Sequence, residues 1–258
     1  MNVIRIMGGL GNQLFQYAFG QIMENHGMNV AYDVSWFENH SSSNIHREYR
    51  LNVFDIEVSI SEFLSQKTVY ERGYSLRYFE MKDCNFVGYW QYLDYYTPCL
   101  SRFKSILQIR HIFYTKEYLT LRKLIETNCT VSVHVRRGDY LNTPGFCTQN
   151  LRYYLESIIQ IPGNILIFSD DIVWCKQMIL PGYFNRKVLF VDLVDYLSFD
   201  LMSRCTHHII ANSSFSMFAA FLNQKPERIV IYPKLWAPKR TFRVQEKIAH
   251  LPKDWKAL

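Results

Sequence analysis

The stretch Val131-Ser-Val-His-Val-Arg-Arg-Gly-Asp-Tyr140 is where the fold becomes readable. Val131, Val133 and Val135 alternate with Ser132, His134 and Arg136, the period of a strand, so His134 and Arg136 share the face opposite the valines. The strand is expected to stop near Arg137, because Gly138 permits a sharp turn that other residues resist. Two arginines at the end of a strand, in a chain rich in apolar strands, form a candidate anion site. For an isolated Arg-Arg-Gly-Asp the simpler reading is an ion pair of Arg137 with Asp139 closing a turn, so the flanking chain has to decide.

Downstream, strand patterns at 131–135, 165–168, 188–191, 208–211 and 229–232 alternate with helical patterns at 151–159, 172–179, 195–205 and 215–222. That alternation predicts a parallel sheet with right-handed crossovers. Past Pro233 the pattern weakens into a basic, aromatic tail, 234–240, expected to pack on the other domain rather than touch a membrane. Upstream, a strand at 2–7 runs into Gly8-Gly-Leu-Gly-Asn-Gln13. A helix follows, with Leu14, Tyr17, Ala18, Ile22 and Met23 at three- and four-residue spacing. Strand, glycine turn and helix open a Rossmann-like unit, although the spacing is not the dinucleotide fingerprint Gly-x-Gly-x-x-Gly. A second strand is expected at 28–32, ending at Asp33, and another at 85–90, carrying Gly88-Tyr-Trp-Gln91. A helical, aromatic stretch is expected at 92–107 and a helix at 118–125. Residues 35–80, with the polar loop His40-Ser-Ser-Ser-Asn44, show no clear period. The junction falls within 110–129, giving an N-terminal domain 1–125 and a C-terminal domain 126–258.

The chain has 258 residues, 48% hydrophobic and 16% aromatic, enough for one large core or two smaller ones and too apolar for disorder. A net charge of +6 suits an anionic ligand, but no block of five or six basic residues marks nucleic acid as a partner. The six cysteines show neither zinc spacing nor a disulfide framework and are read as reduced, mostly buried residues. No signal peptide is visible at Met1–Met7, and no apolar run reaches the roughly eighteen residues of a membrane span. A cytoplasmic location is expected, with at most peripheral contact at the inner face of the membrane. Oligomeric state is not legible.

Three strand ends carry polar groups: His134 to Tyr140; Phe168-Ser-Asp-Asp171, where Asp170 or Asp171 can cap the next helix; and Ile209-Ile-Ala-Asn-Ser-Ser-Phe-Ser216. One helix needs one N-cap, so the surplus among Ser213, Ser214 and Ser216, beside free helix-start N–H groups, suits a phosphate. Strand ends of an open parallel sheet share one rim, so the three can converge. His207 and His208 face opposite ways on their strand and are read as structural.

Together with Gly8-Gly-Leu-Gly-Asn-Gln-Leu-Phe-Gln-Tyr17, Trp174, Leu201-Met-Ser203, Gly88-Tyr-Trp-Gln91 and Tyr153-Tyr154, these segments resemble, in order and from residue 3 to 223, the family 11 glycosyltransferases, the α-1,2-fucosyltransferases. The resemblance implies an α/β, GT-B-like architecture, two Rossmann-like domains with parallel sheets facing across a cleft. It implies inverting transfer of L-fucose from GDP-fucose to the 2-hydroxyl of a terminal β-galactoside glycan, with no metal or other cofactor. The C-terminal domain would bind the donor and the N-terminal domain the acceptor. Carried over by motif, Arg136 and Arg137 hold the diphosphate, and His134 and Asp139 shape the pocket. Asn212, Ser213, Ser214 and Asp170 contact the nucleotide side, while Gly9, Gly11, Asn12 and Gln13 face the transfer site from the N-terminal half. Asp139 and His134 are the candidate general bases. Phe215-Ser-Met-Phe-Ala-Ala-Phe221 departs from the family's Phe-Ser-Trp-Trp-Gly-Ala-Trp, and Ser198 stands near a position where the family tends to be acidic. The alternatives are a GT-B enzyme with another donor or linkage, or a non-catalytic polyanion-binding module.

Overall fold

A computed structural model describes residues 1–39, 47–63, 67–238 and 242–258. The expected polar loop at His40 to Asn44, and Lys239 and Arg240 of the basic tail, lie outside the described residues. The chain divides into two compact units, the first formed by Met1–Gln108 with Gln245–Leu251 and the second by Ile109–Val244 with Pro252–Leu258.

The second unit carries a six-stranded sheet, every pair parallel. Its strands are β5 (Thr130–Val135), β6 (Asn164–Ser169), β7 (Val188–Val191), β8 (His207–Ile209), β9 (Val230–Tyr232) and β10 (Lys256–Ala257), in the order β10-β9-β8-β5-β6-β7. Every residue of β5 is buried, as a central parallel strand covered on both faces requires. Val131, Val133 and Val135 pack into one core with Ile158, Ile165, Ile167, Ile209 and Ile231. That core takes in Tyr153 and Tyr154 of α5 (Leu151–Ile158) and Cys175 of α6 (Ile172–Met178). On the other face His134 packs against Phe215 of α8 (Ser214–Leu222), and Phe199 of α7 (Asp195–Arg204) meets Phe215 and Phe218.

The first unit holds a four-stranded parallel sheet in the order β2-β1-β4-β3: β1 (Asn2–Arg5), β2 (Val30–Asp33), β3 (Thr68–Tyr70) and β4 (Asn85–Val87). Helix α1 (Leu10–Asn25) is buried almost all round, beyond the expected apolar stripe. It can bury glutamines because their amides are satisfied: Gln16 accepts from Met7 N at 2.9 Å and donates to the Gly88 carbonyl at 3.0 Å. Its Phe19 stacks on Trp90 with ring centroids 4.1 Å apart. The remaining helices are α2 (Trp36–Asn39), α3 (Leu100–Ile106), α4 (Lys116–Thr127) and α9 (Phe242–Ala249).

Several expected boundaries move, each for a local reason. The first strand ends at Arg5 rather than residue 7, since the N–H of Met7 goes to the Gln16 side chain. β4 ends at Val87 rather than residue 90, because Trp90 sits at φ +54, outside the strand region. The stretch 92–107 is two 3-10 turns, Leu93–Tyr95 and Thr97–Cys99, before α3, with Pro98 inside the second turn. β5 stops at Val135, and Gly138 has no left-handed φ. The domain division falls at Gln108/Ile109, not at 125/126, because α4 docks on α7: the Tyr118 hydroxyl donates to Asp200 at 2.6 Å, and Arg204 pairs with the same carboxylate. β3 and β10 are too short to show a period in the sequence, and α9 is not among the expected helices. Cys84, Cys175 and Cys205 are buried, but Cys99 and Cys147 are half-buried and Cys129 is exposed. Among the described residues no helix is long and apolar enough to cross a membrane.

Candidate active site

The carboxyl ends of β5, β6 and β8 assemble one polar cluster in the second unit. After β5, Arg136 pairs with Asp139 and, at 2.8 Å, with Asp170. Arg137 pairs with Asp171 at 3.0 Å, its guanidinium 4.1 Å from the Trp174 ring centroid. In place of a simple Arg137–Asp139 pair there is an interleaved set that spans two strand ends. Asp170 also accepts the Arg137 backbone N–H at 2.8 Å, locking the loop after β5 to the loop after β6. Gly138 is required by proximity: a Cβ there would lie 2.5 Å from the Asp170 carboxylate. Asp171 is the helix cap, accepting from Trp174 N at 3.1 Å, which leaves Asp170 to the arginines.

Both guanidiniums are mostly buried, with side chains 19% and 17% exposed, and the carboxylates hold their forks in place. The Arg136 Nε is buried without a hydrogen-bond partner. Tyr140 links the arginine to the third strand end. The Arg136 guanidinium lies 5.1 Å from its ring centroid, and its hydroxyl donates to the Asn212 carbonyl at 3.2 Å. The Asn212 side chain donates to the carbonyls of Cys147 at 2.9 Å and Trp236 at 2.8 Å, and its Oδ1 is buried with no partner. The tail backbone at Trp236 therefore packs on its own unit. Ser213 is the N-cap position of α8, yet its side chain makes no capping bond. Ser214 opens the helix, and Ser216 is used elsewhere, at 2.8 Å from His134 Nδ1.

His134 is buried, and its pKa is pushed down to about 3 by burial and then by the Arg136 charge, so the ring is neutral at physiological pH. His207 and His208 are bound inside the unit: His208 lies 2.8 Å from both Ser132 Oγ and the Asn223 amide, and His207 Nδ1 accepts from Ile229 N at 3.1 Å.

In the first unit, Gly9 is the N-cap position of α1, with the Arg47 guanidinium near enough that a Cβ on Gly9 would be 3.8 Å away. Gly11 is buried in the first turn. Asn12 is half-buried, and its Oδ1 accepts from the Gln91 amide at 2.7 Å. Gln13 does not face a site. It is fully buried, donating to the carbonyls of Gly8 at 3.0 Å and Glu48 at 2.8 Å and accepting from Arg50 N at 2.8 Å, so it ties the glycine turn to the chain at 48–50. Three further residues border these positions: Arg47 beside Gly9, Tyr140 beside Arg136 and Gln91 beside Asn12. Tyr140 and Gln91 stand inside quoted motifs, but Arg47 gives no sequence signal.

A model described as glycosyl transferase family 11 matches residues 1–258. The chain is 31% identical to an alpha-1,2-colitosyltransferase of Escherichia coli, over 91% of this chain and 91% of that protein. It is 28% identical to the O-antigen biosynthesis glycosyltransferase WbnK of Escherichia coli, over 90% of this chain and 93% of that protein. Among solved structures, the fucosyltransferase NodZ from Bradyrhizobium superposes with a TM-score of 0.51 at 13% identity, covering 84% of this chain and 91% of that one. At that identity the likeness concerns the fold, two parallel sheets in a GT-B-like α/β chain.

Proposed function

The chain belongs to glycosyl transferase family 11, and from that premise we propose that it transfers L-fucose from GDP-fucose to the 2-hydroxyl of a terminal β-galactoside, with inversion and without a metal ion. The observation that carries this reading is the pair Arg136 and Arg137, oriented by Asp139, Asp170 and Asp171 where three strands of the second sheet end. Breaking the fucose–phosphate bond loads negative charge onto GDP. Two fixed guanidiniums, aimed before the ligand arrives, stabilise that charge as it develops. In this reading the diphosphate takes Arg136 and Arg137, competing with the carboxylates that hold them, and the α8 start with Asn212, Ser213 and Ser214 supports it. Asp139, released from Arg136 by the diphosphate, accepts the proton of the acceptor hydroxyl. His134 is buried, with Nδ1 on Ser216 Oγ, and serves to hold that side chain. Gly9, Gly11 and Asn12 belong to the acceptor side.

A second reading keeps the α-1,2 linkage and changes the sugar to colitose, which lacks the 3-hydroxyl of L-fucose; the 31% identical relative favours it. The test is mass and linkage analysis of products from GDP-fucose and GDP-colitose, each with a panel of β-galactosides. Fucose on O-2 of galactose is expected. Transfer from GDP-colitose alone selects the second reading, and another linkage removes both. A pH–rate profile of Asp139→Asn that matches the unsubstituted enzyme in rate and shape eliminates Asp139 as the base.

A further inference from the structure

Gln91 stands after β4, and its side chain joins two distant groups of the first unit. Its Oε1 accepts from Lys247 Nζ at 3.1 Å, and its Nε2 donates to Asn12 Oδ1 at 2.7 Å. The direction of this relay is forced. An ammonium can only donate, so the Gln91 carbonyl must face Lys247 and its NH₂ must face Asn12. Asn12 then spends its carbonyl on Gln91 and turns its own NH₂ away, over Gly8. Gly8 sits at φ +78, and a Cβ there would lie 2.6 Å from Asn12 Nδ2, so a side chain at position 8 would displace the amide.

The far end of the relay is held firmly. Glu246, next to Lys247, accepts from Tyr74 N at 3.0 Å and from the Tyr92 hydroxyl at 3.1 Å. His250 lies 2.6 Å from Asp94 and stacks on Tyr74 at 4.1 Å between centroids. Gly73 leaves room for Glu246, since a Cβ there would meet its carboxylate at 2.8 Å. The segment Gln245–Leu251 is thus docked by several independent contacts, and Lys247 is a fixed donor rather than a wandering surface lysine. The near end is fixed by the backbone. Trp90, buried at φ +54 with its carbonyl accepting from Tyr92 N at 2.9 Å, sets where residue 91 points.

We propose that Gln91 and Lys247 are positioning residues that fix the amide of Asn12 as a hydrogen-bond donor to an oxygen of the acceptor sugar. This rests on the reading above that the first unit takes the acceptor. An amide carries two N–H bonds, so the role holds whatever other partner Asn12 has. The chemical class recognised is a hydroxyl or ring oxygen acting as acceptor; a ligand group that could only donate would be refused.

Gln91→Glu tests the polarity at nearly constant shape. A carboxylate keeps the pair with Lys247 but offers Asn12 only acceptor oxygens, so Asn12 must flip and present its carbonyl. The expected result is a rise of about tenfold in the KM for the β-galactoside, the scale of one lost hydrogen bond. The KM for GDP-fucose changes far less than the KM for the β-galactoside. Lys247→Arg, still donor-only, restores near-normal acceptor KM, and Lys247→Met falls between. Independently of any donor, titration with a β-galactoside alone should move the Asn12 side-chain amide signals in nitrogen-edited NMR, less so in Gln91→Glu. Galactoside binding that moves those signals without fucose transfer would keep the positioning role and remove the fucosyltransferase reading. Normal acceptor KM in folded Gln91→Glu, or galactoside binding that leaves the Asn12 amide unmoved, overturns the positioning role.

Discussion

At the scale of single residues, the chain separates amides spent inside the molecule from those left partly exposed. Gln13 and Asn12 are neighbours in one motif, yet the first is fully buried on backbone partners and the second is half-exposed. Arg136 is the residue whose loss should be most visible. Its fork is held by Asp139 and Asp170, so the side chain is already ordered. Arg136→Ala is expected to lower kcat by two to three orders of magnitude, about 3–4 kcal/mol of transition-state stabilisation, with the fold retained by circular dichroism. Arg136→Lys should also be poor, because a point charge cannot engage two phosphate oxygens in one plane. Near-normal steady-state turnover in either folded variant would remove Arg136 from the diphosphate site.

At the scale of elements, what matters is where strands stop and what the next residues are tied to. β5 stops at Val135, and two residues on the Arg137 N–H is claimed by Asp170 from the neighbouring strand end. Helix α4 shows the same principle in packing. Its Tyr118 reaches Asp200, a carboxylate 4% exposed that also takes Arg204, and that buried bond assigns the helix to the second unit. Tyr118→Phe keeps the ring and deletes only the hydroxyl. The loss expected in chemical denaturation is about 1.5–3 kcal/mol, the worth of a hydrogen bond to a charged group. An unchanged midpoint would mean that Arg204 alone satisfies Asp200 and that α4 is held by its apolar face.

At the scale of the whole molecule, acid sensitivity follows from two buried imidazoles. His208, like His134, has its pKa pushed down to about 3, by burial first and then by His207, Arg228 and Lys225. Both are neutral in the folded chain and titrate near 6.5 when unfolded. Below that pH the unfolded chain takes up protons that the folded chain refuses, so stability is complete above about 6.5 and falls as pH drops toward 3. Thermal midpoints measured across that window should fall, and His208→Gln should flatten the slope; an equal slope would place the acid sensitivity in other groups. The second sheet was largely legible in the sequence: Val131, Val133 and Val135 carry a period-2 signal, and the strands that follow recur with helices between them. The arginine pair could be found because it ends a strand. The ion-pair partners could not, since Arg137 and Asp170 are 33 residues apart and no period links them. The first unit was less legible, because β3 is a three-residue, partly exposed strand defined by its pairing with β4, and the turn at Gly88–Gln91 takes its shape from a buried, left-handed Trp90 rather than from local pattern. By itself, then, the sequence determined the α/β class, the strand ends that carry charge and the family, because periodicity and motif order are properties of the linear chain. Only the tertiary structure decided which carboxylate holds which arginine, that Gln13 is buried, and that Lys247, 156 residues from Gln91, orients the amide beside Asn12, because hydrogen-bond direction is set by partners that only folding brings together.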